Sequence, residues 1–253
     1  MIRLIGFLVF IFVRNAVGSE SFCNKAGLGQ AYPPKDISGG VVCFVYTRTD
    51  EQYDGDFSKS PDGISVFFFR KSEGAKLVYE FPYAGTRGKI NDAFFIPVGK
   101  KYGEVLFVIH SIETPRSWDP VSDVYDVSVI RLQGEVPVLD ERLTRFFDMG
   151  GDFVDAQGQP TYFYPYKDRT AVEAAVRSPL FDVVRTSSPV EGVVREKSFL
   201  YRGDSEPSFK TGMYLINGDK VKVEDSTGGR CKVTYAAKLK SITMWIDCKS
   251  IVF

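Results

Sequence analysis

Apolar and polar residues alternate in short runs along the first half of the chain. Between residues 39 and 132 these runs are rich in Val, Ile, Phe and Tyr and are bounded by Gly, Pro, Asn or Asp, a pattern typical of β-strands. The predicted strands are Val41–Thr47, Ile64–Arg70, Lys76–Pro82, Ala93–Val98, Glu104–Ser111 and Val124–Leu132. No strand–helix–strand alternation occurs, so the pattern predicts an antiparallel meander and not a parallel sheet.

Two longer polar segments interrupt these strands. Residues 49–63 are rich in Asp and Glu, whereas residues 113–123 contain two prolines and Trp118. Binding residues concentrate in long loops on a rigid sheet, and Trp is enriched among interface hot spots. Trp118 is therefore a candidate binding anchor. The alternative is that its side chain only packs the loop onto the sheet.

One helix is predicted beyond the strands. A hairpin-like stretch over residues 153–166 precedes Asp168, which can cap a helix that Ser178-Pro179 would end. Polar residues 186–192 then form a hinge, where we expect a domain boundary. The predicted fold class is mainly β, with an antiparallel β domain containing one helix over residues 19–190 and a small barrel over residues 193–253.

The C-terminal segment returns to short strands separated by tight turns. Asn217-Gly218-Asp219 and Gly228-Gly229 are typical turn sequences. The five predicted strands are Val194–Tyr201, Met213–Ile216, Lys220–Glu224, Cys231–Tyr235 and Ser241–Asp247. About sixty residues with this layout describe a small β-barrel.

The residues of this segment resemble the bacterial SH3-like domains of exported proteins. Lys197-Ser-Phe-Leu-Tyr201, Tyr214-Leu-Ile-Asn-Gly-Asp-Lys-Val221 and Trp245-Ile246 carry the resemblance, which covers about a quarter of the chain. It implies a non-catalytic module that docks proteins or cell-wall peptides. Tyr201, Tyr214 and Trp245 are candidates for a ligand groove. The alternative is that these aromatic residues form the core of the barrel.

The N-terminus has the pattern of a signal peptide. Arg3 precedes an uncharged apolar run from Leu4 to Val13, and small residues end at Gly18 before Ser19. About ten apolar residues are too few to span ~30 Å of hydrocarbon as a helix. Residues 1–18 are therefore predicted to be cleaved during export to the periplasm, with no membrane span in the mature protein.

The charge of the chain limits its partners. The full sequence has 32 basic and 32 acidic side chains, and removing residues 1–18 leaves 30 basic against 32 acidic. Proteins that bind nucleic acid usually carry a strongly basic surface. We expect no nucleic-acid partner.

The four cysteines fall into two pairs at opposite ends of the chain. An even number in an exported protein favours disulfides. Three pairings exist, and we favour Cys23–Cys43 with Cys231–Cys248 because each bond closes one local loop. The alternative, a zinc site of four thiolates, lacks the Cys-x-x-Cys spacing of structural zinc sites.

No catalytic or metal-binding motif is recognisable. The chain has one histidine, His110, and no Gly-x-Ser-x-Gly or His-Glu-x-x-His sequence. We predict that His110 is a half-buried, paired structural residue. The acidic residues between Asp50 and Asp62 lack the spacing of a calcium-binding loop. The tripeptide Arg202-Gly203-Asp204 matches an integrin-binding motif, but its Gly and Asp are better explained by a turn. No cofactor or metal is predicted.

Three functions stay open. The first is a non-enzymatic periplasmic binding or inhibitor protein that recognises another protein, for example an immunity protein against a type VI secretion effector. The second is a cell-wall-associated SH3-like module that binds peptidoglycan peptides. The third is a hydrolase that uses carboxylates without a recognisable motif.

Overall fold

A computed structural model describes ten parts of the chain: residues 23, 29–47, 63–70, 73–83, 88–114, 123–154, 157, 159–204, 210–238 and 240–253. Within these parts the protein is mainly β, and its named sheets are antiparallel. The predicted fold class is confirmed at this level. None of the helices described here has the length and apolar character needed to cross a bilayer.

The N-terminal part contains two four-stranded meanders. The strands of the first are β1 Gln30–Ile37, β2 Gly40–Thr47, β3 Gly63–Arg70 and β4 Gly74–Glu80. The strands of the second are β5 Lys89–Pro97, β6 Glu104–Ile112, β7 Val124–Gln133 and β8 Val136–Leu139. The six strands predicted in this region all form, but they divide between two sheets.

The two meanders face each other and share a core, and together we call them the sandwich. Val42 and Phe68 of the first sheet and Leu106 and Ile130 of the second belong to one buried cluster. The edges also meet, because the Tyr32 hydroxyl donates to Asp92 at 3.0 Å. Short hairpin turns join the strands at one end of each sheet, which we call the turn end, and longer connections lie at the other.

Four helices are described: α1 Gly99–Tyr102, α2 Glu141–Phe147, α3 Arg169–Val176 and α4 Pro179–Thr186. The prediction of α3 is confirmed, since the Asp168 carboxylate accepts a hydrogen bond from the Ala171 amide at 2.9 Å. The expectation of a single helix is wrong. Ser178 caps α4 as α3 ends, and Pro179 at the first helical position needs no N–H partner there.

The helices cover the outer side of the second sheet. Phe107 and Val129 of this sheet pack in one cluster with Phe147 of α2, Val172 of α3 and Phe181 of α4. The second sheet is therefore buried on both faces. This explains why β6 is an almost continuous apolar run and does not alternate.

Seven strands that lie between residues 190 and 252 form an antiparallel sheet that we call the half-barrel. Its strands are β11 Val190–Val194, β12 Ser198–Tyr201, β13 Lys210–Leu215, β14 Lys220–Thr227, β15 Arg230–Ala236, β16 Ser241–Asp247 and β17 Ile251–Val252. Their order is β13-β12-β16-β15-β14-β11-β17. The strand predicted from Val194 to Tyr201 is broken in two, because β11 pairs with β14 and β17 whereas β12 pairs with β13 and β16.

The half-barrel packs against the helices, and the short hairpin of β9 Phe153–Val154 and β10 Pro160–Tyr162 lies beside it. The Gly228 amide donates to the Phe146 carbonyl at 3.0 Å, and the Tyr162 hydroxyl donates to the Gly228 carbonyl at 2.7 Å. Arg145 of α2 also forms an ion pair with Asp225. The β14–β15 turn is thus attached to α2.

Both predicted disulfides are confirmed. Cys23 is bonded to Cys43 with 5.3 Å between their Cα atoms, and Cys231 is bonded to Cys248 with a Cα distance of 5.0 Å. No cysteine remains free, which removes the zinc alternative. Disulfides persist in oxidising compartments, so these bonds fit an exported protein.

Candidate functional site

Four aromatic residues of the half-barrel lie on its outer face. Tyr201 of β12 lies directly opposite Trp245 of β16, and Phe199 of β12 lies opposite Tyr214 of β13. Residues directly opposite each other in an antiparallel pair share a face, and every second residue of a strand does so too. All four rings therefore project from the same side of the sheet.

The inner side of the half-barrel is aliphatic at these strands. Leu200, Leu215 and Ile246 alternate with the aromatic residues and belong to the buried core cluster. Tyr214 is 50% exposed, whereas Leu200 is 2% exposed. The three sequence candidates Tyr201, Tyr214 and Trp245 thus lie together on the outside, and they are not part of the core cluster.

Four cationic side chains lie among these rings. The Lys210 ammonium is 3.7 Å from the ring centroid of Phe199, and the Lys197 ammonium is 4.2 Å from that of Tyr214. The Arg230 guanidinium carbon is 4.0 Å from the centroid of Tyr201, and Arg230 is itself buried beneath this face. These distances are those of cation–π contacts.

The fourth cation, Lys232, lies opposite Trp245 and so shares its face. We call these eight residues the aromatic face: Lys197, Phe199, Tyr201, Lys210, Tyr214, Arg230, Lys232 and Trp245.

Positive charge on the aromatic face is only partly compensated. Within the described residues, the ion pairs of the protein include none for Lys197, Lys210 or Lys232. The two carboxylates opposite this region are already engaged, Asp225 with Arg145 and Asp247 with Lys249 at 3.0 Å. The face can therefore receive apolar groups and carboxylates together.

The aromatic face ends at an edge of the sheet. Strand β13 pairs only with β12 among the described strands, and both Met213 and Tyr214 on it are largely exposed. An edge strand presents unpaired backbone N–H and C=O groups along one side. A partner that contacts the rings can also reach this backbone.

Trp118, the remaining sequence candidate, lies outside the described residues, as do Asp50 to Asp62. Its role as a binding anchor stays a prediction. The structure describes the residues before and after its loop, Ile112 and Val124, which are paired across β6 and β7 at the end of the sandwich away from the hairpin turns.

His110 does not have the environment that we predicted. It is fully buried between the two sheets of the sandwich, and neither ring nitrogen has a hydrogen-bond partner among the residues that the structure describes. Its ring stacks on Phe81 with 4.6 Å between centroids. Burial lowers the pKa of His110 to about 4, because the charged imidazolium would be desolvated. The expectation of a half-buried, paired histidine is wrong.

A buried carboxyl faces His110 across the sheet. Asp126 lies opposite His110 in the β6–β7 pair and accepts a 3.0 Å hydrogen bond from the Ser128 hydroxyl. Burial raises the pKa of Asp126 to about 6. Ser128 is fully buried and bonded to Asp126, so these three residues do not have the geometry of a serine nucleophile activated by histidine.

A pair of carboxyl groups lies where the half-barrel meets the helices. Asp148 and Asp204 line a cavity of about 60 Å³ together with Tyr162 and Arg230. Burial raises the pKa of Asp148, and the charge of Asp204 adds to this shift. Such a volume accommodates a few water molecules but not a sugar or a peptide. No sequence pattern indicates this pair, because its formation depends on the packing of α2 against the half-barrel.

Comparison of the chain with protein-family models, with characterised proteins and with solved structures gave no match. The fold and the site therefore define a class only in structural terms. It is a disulfide-bearing antiparallel β protein with an exposed aromatic and cationic face.

Proposed function

We propose that this is an exported, non-enzymatic binding protein that recognises another protein through its aromatic face. The observation that carries the proposal is the position of Tyr201, Tyr214 and Trp245. They lie on the outer face of the half-barrel and are not part of its core cluster. Tyr and Trp are among the residues most enriched at interface hot spots. The SH3-like resemblance of the same segment supports a docking role.

The charge of the face indicates the kind of surface it recognises. Lys197, Lys210 and Lys232 favour a partner that presents carboxylates beside apolar groups. Complementary charge speeds association and excludes partners of the wrong sign. We therefore propose an acidic partner surface, with the rings supplying the buried contact area.

The described polar clusters support a binding role over a catalytic one. His110 and Ser128 are both inaccessible to a substrate, and the Asp148 and Asp204 carboxyl groups share a cavity too small for one.

The predicted signal peptide and the two disulfides support export. Mass spectrometry of protein from the cell envelope is expected to find an N-terminus near Ser19.

The specific form that we propose is a periplasmic inhibitor, in which the aromatic face covers an acidic site of a toxin. An immunity protein against a type VI secretion effector belongs to this class. Tight inhibitors of standard interface size bury about 800 Å² per partner. Four aromatic side chains at the centre of such an area are sufficient anchors for a protein–protein interface.

A photo-crosslinking experiment in the producing cell tests the proposal. We would introduce p-benzoylphenylalanine in place of Tyr214 and, as a matched control, in place of Leu77, which is 46% exposed on β4 of the sandwich. We expect one protein adduct at high yield from position 214 and none from position 77. An adduct of equal yield from both positions would contradict recognition by the aromatic face.

Binding to the cell wall is the outcome that would favour the alternative function. Purified protein would be sedimented with peptidoglycan sacculi, and the same assay repeated with Tyr214→Ala. Our proposal expects the protein to stay in the supernatant. Sedimentation that Tyr214→Ala abolishes would assign the aromatic face to peptidoglycan peptides and overturn recognition of a protein.

A further inference from the structure

An open cleft lies at the turn end of the sandwich, far in sequence from the half-barrel. It has a volume of about 570 Å³ and runs between the β1–β2 hairpin and the second sheet. Its apolar walls include Val42 of β2, Leu106 of β6 and Ile130 of β7, which also belong to the core of the sandwich. The cleft therefore extends from solvent to the core.

The mouth of the cleft is acidic. Asp36 at the end of β1 and Glu104 at the start of β6 both line it, and both are exposed. Neither carboxylate has an ion-pair partner within the described residues. The one basic lining residue, Arg131, is held by Asp140 with an Nε–Oδ2 distance of 2.8 Å.

A lysine nearby does not reverse this charge. The Lys101 ammonium lies 5.4 Å from the ring centroid of Tyr102, whose side chain lines the cleft, but Lys101 itself is not a lining residue. The charged groups that a bound molecule would meet are therefore two unpaired carboxylates and one neutralised guanidinium. An anionic head group would face two like charges there.

We propose that this cleft binds a small amphipathic molecule with an apolar body and a cationic head group. Ligand sites in proteins are concave, mainly apolar and about 300 to 1,000 Å³ in volume, with a few polar groups that fix orientation. The apolar body contacts Val42, Leu106 and Ile130 and displaces water from the exposed part of the core. The head group lies between Asp36 and Glu104.

This site is independent of the aromatic face, because the two share no residue and lie on different sheets. Loss of one activity therefore does not imply loss of the other. A variant of the cleft is expected to retain partner binding, and Tyr214→Ala is expected to retain the amphipathic ligand. The two proposals can fail separately.

Three surfactants with the same decyl chain test the inference by calorimetry below their micellar concentrations. Decyltrimethylammonium is cationic, decyl sulfate is anionic and decyl maltoside is uncharged. We expect one site per protein and an affinity for the cation at least about tenfold higher than for the sulfate. Equal or tighter binding of the sulfate would overturn the proposal, as would binding of more than one cation with no distinct first site.

Charge variants at the mouth locate the site. Because an exposed ion pair contributes modestly, Glu104→Gln and Asp36→Asn are each expected to weaken binding of the cation about threefold to fivefold. Binding of decyl maltoside is expected to stay unchanged in both variants. Glu191→Gln, an exposed acid on β11 of the half-barrel, is the matched control and is expected to have no effect.

Two further measurements exclude other occupants. Amide shifts in nuclear magnetic resonance spectra are expected to change around Leu106 and Ile130, and changes confined to the aromatic face would contradict the assignment.

Sedimentation of the free protein is expected to show a monomer. A dimer that the cationic surfactant dissociates would instead assign the cleft to a second copy of the chain.

Discussion

The sandwich and the half-barrel differ in where most of their aromatic side chains lie. In the sandwich these side chains are mainly in the core, and in the half-barrel they are mainly on the outer face. In the sandwich and its helices, rings such as Phe44, Phe107 and Phe147 are fully buried and supply much of the core volume. In the half-barrel the core cluster is built mainly from Val, Leu and Ile, while Tyr214 and Trp245 stay on the outer face. The same residue types therefore serve stability in one region and remain available for contact in the other.

This difference shows how a small sheet can leave aromatic residues outside its core. The half-barrel core is small, and a disulfide between Cys231 and Cys248 joins the end of β16 to β15. This cross-link stabilises the folded state because it restricts the unfolded chain, and its two buried cysteines also belong to the half-barrel core. The half-barrel thus gains stability from a source other than buried rings.

The sharpest test of the comparison is to truncate one ring in each region. Phe107→Ala removes a fully buried ring from the sandwich and is expected to lower the free energy of unfolding by about 3 to 5 kcal/mol. Tyr214→Ala removes a half-exposed ring and is expected to cost less than about 1 kcal/mol. Urea unfolding followed by circular dichroism measures both. A comparable loss in the two variants would show that Tyr214 is structural.

The second test removes the cross-link of the half-barrel. Replacing Cys231 and Cys248 together by Ser is expected to lower the free energy of unfolding by about 3 kcal/mol, from the entropy of a loop with 17 residues of sequence separation. Non-reducing peptide mapping of the wild-type protein verifies the two pairs beforehand. A loss below about 1 kcal/mol would mean that the aliphatic core suffices alone.

The third test concerns pH and the buried polar pair of the sandwich. The pKa of His110 falls to about 4 in the folded protein, so between pH 6.5 and 4 the unfolded chain binds a proton that the folded chain does not. Stability therefore decreases as pH falls through this range, by about 3 kcal/mol at pH 4. The pKa of Asp126 rises to about 6 in the folded protein, because burial favours the neutral carboxyl group. Asp126 therefore contributes to the free energy of unfolding at low pH, and this contribution is lost as pH rises through 6.

These two effects have opposite signs and nearly cancel in the wild-type protein. His110→Leu is expected to make the protein more stable at pH 4 than at pH 7, by about 2 kcal/mol, because only the Asp126 effect remains. Asp126→Asn is expected to do the reverse. Urea unfolding at both pH values measures the difference. Parallel pH profiles for the two variants would contradict the assignment of the shifts to burial of these side chains.

Much of the sheet structure is predictable from local pattern. Strands β2 to β7 and β14 to β16 lie within a few residues of their predicted bounds, because apolar runs and turn residues mark them. The sequence pattern does not predict α1, α2 or α4. In α2 the signal was present, as Asp140 is a capping residue and Leu143, Phe146 and Phe147 have helical spacing. The prediction that Ser178-Pro179 follows the end of α3 is confirmed, but the same two residues also begin α4.

The candidate site was only partly predictable. The resemblance to SH3-like domains singled out Tyr201, Tyr214 and Trp245, but the placing of Phe199 and the cations beside them depends on register between strands. His110 was misjudged because its burial depends on the first sheet covering the second. The cleft has no local signal, since its walls come from strands far apart in sequence.

We propose that the aromatic face binds the partner while contributing little to the free energy of unfolding. The most direct measurement is the affinity of the cross-linked partner for Tyr214→Ala and for the control Leu77→Ala, with the melting temperature of each variant. Truncation of a hot-spot aromatic costs about 2 kcal/mol or more, so Tyr214→Ala is expected to weaken binding at least about thirtyfold at an unchanged melting temperature. Leu77→Ala is expected to bind as the wild type does. Equal affinities of the two variants would contradict the account.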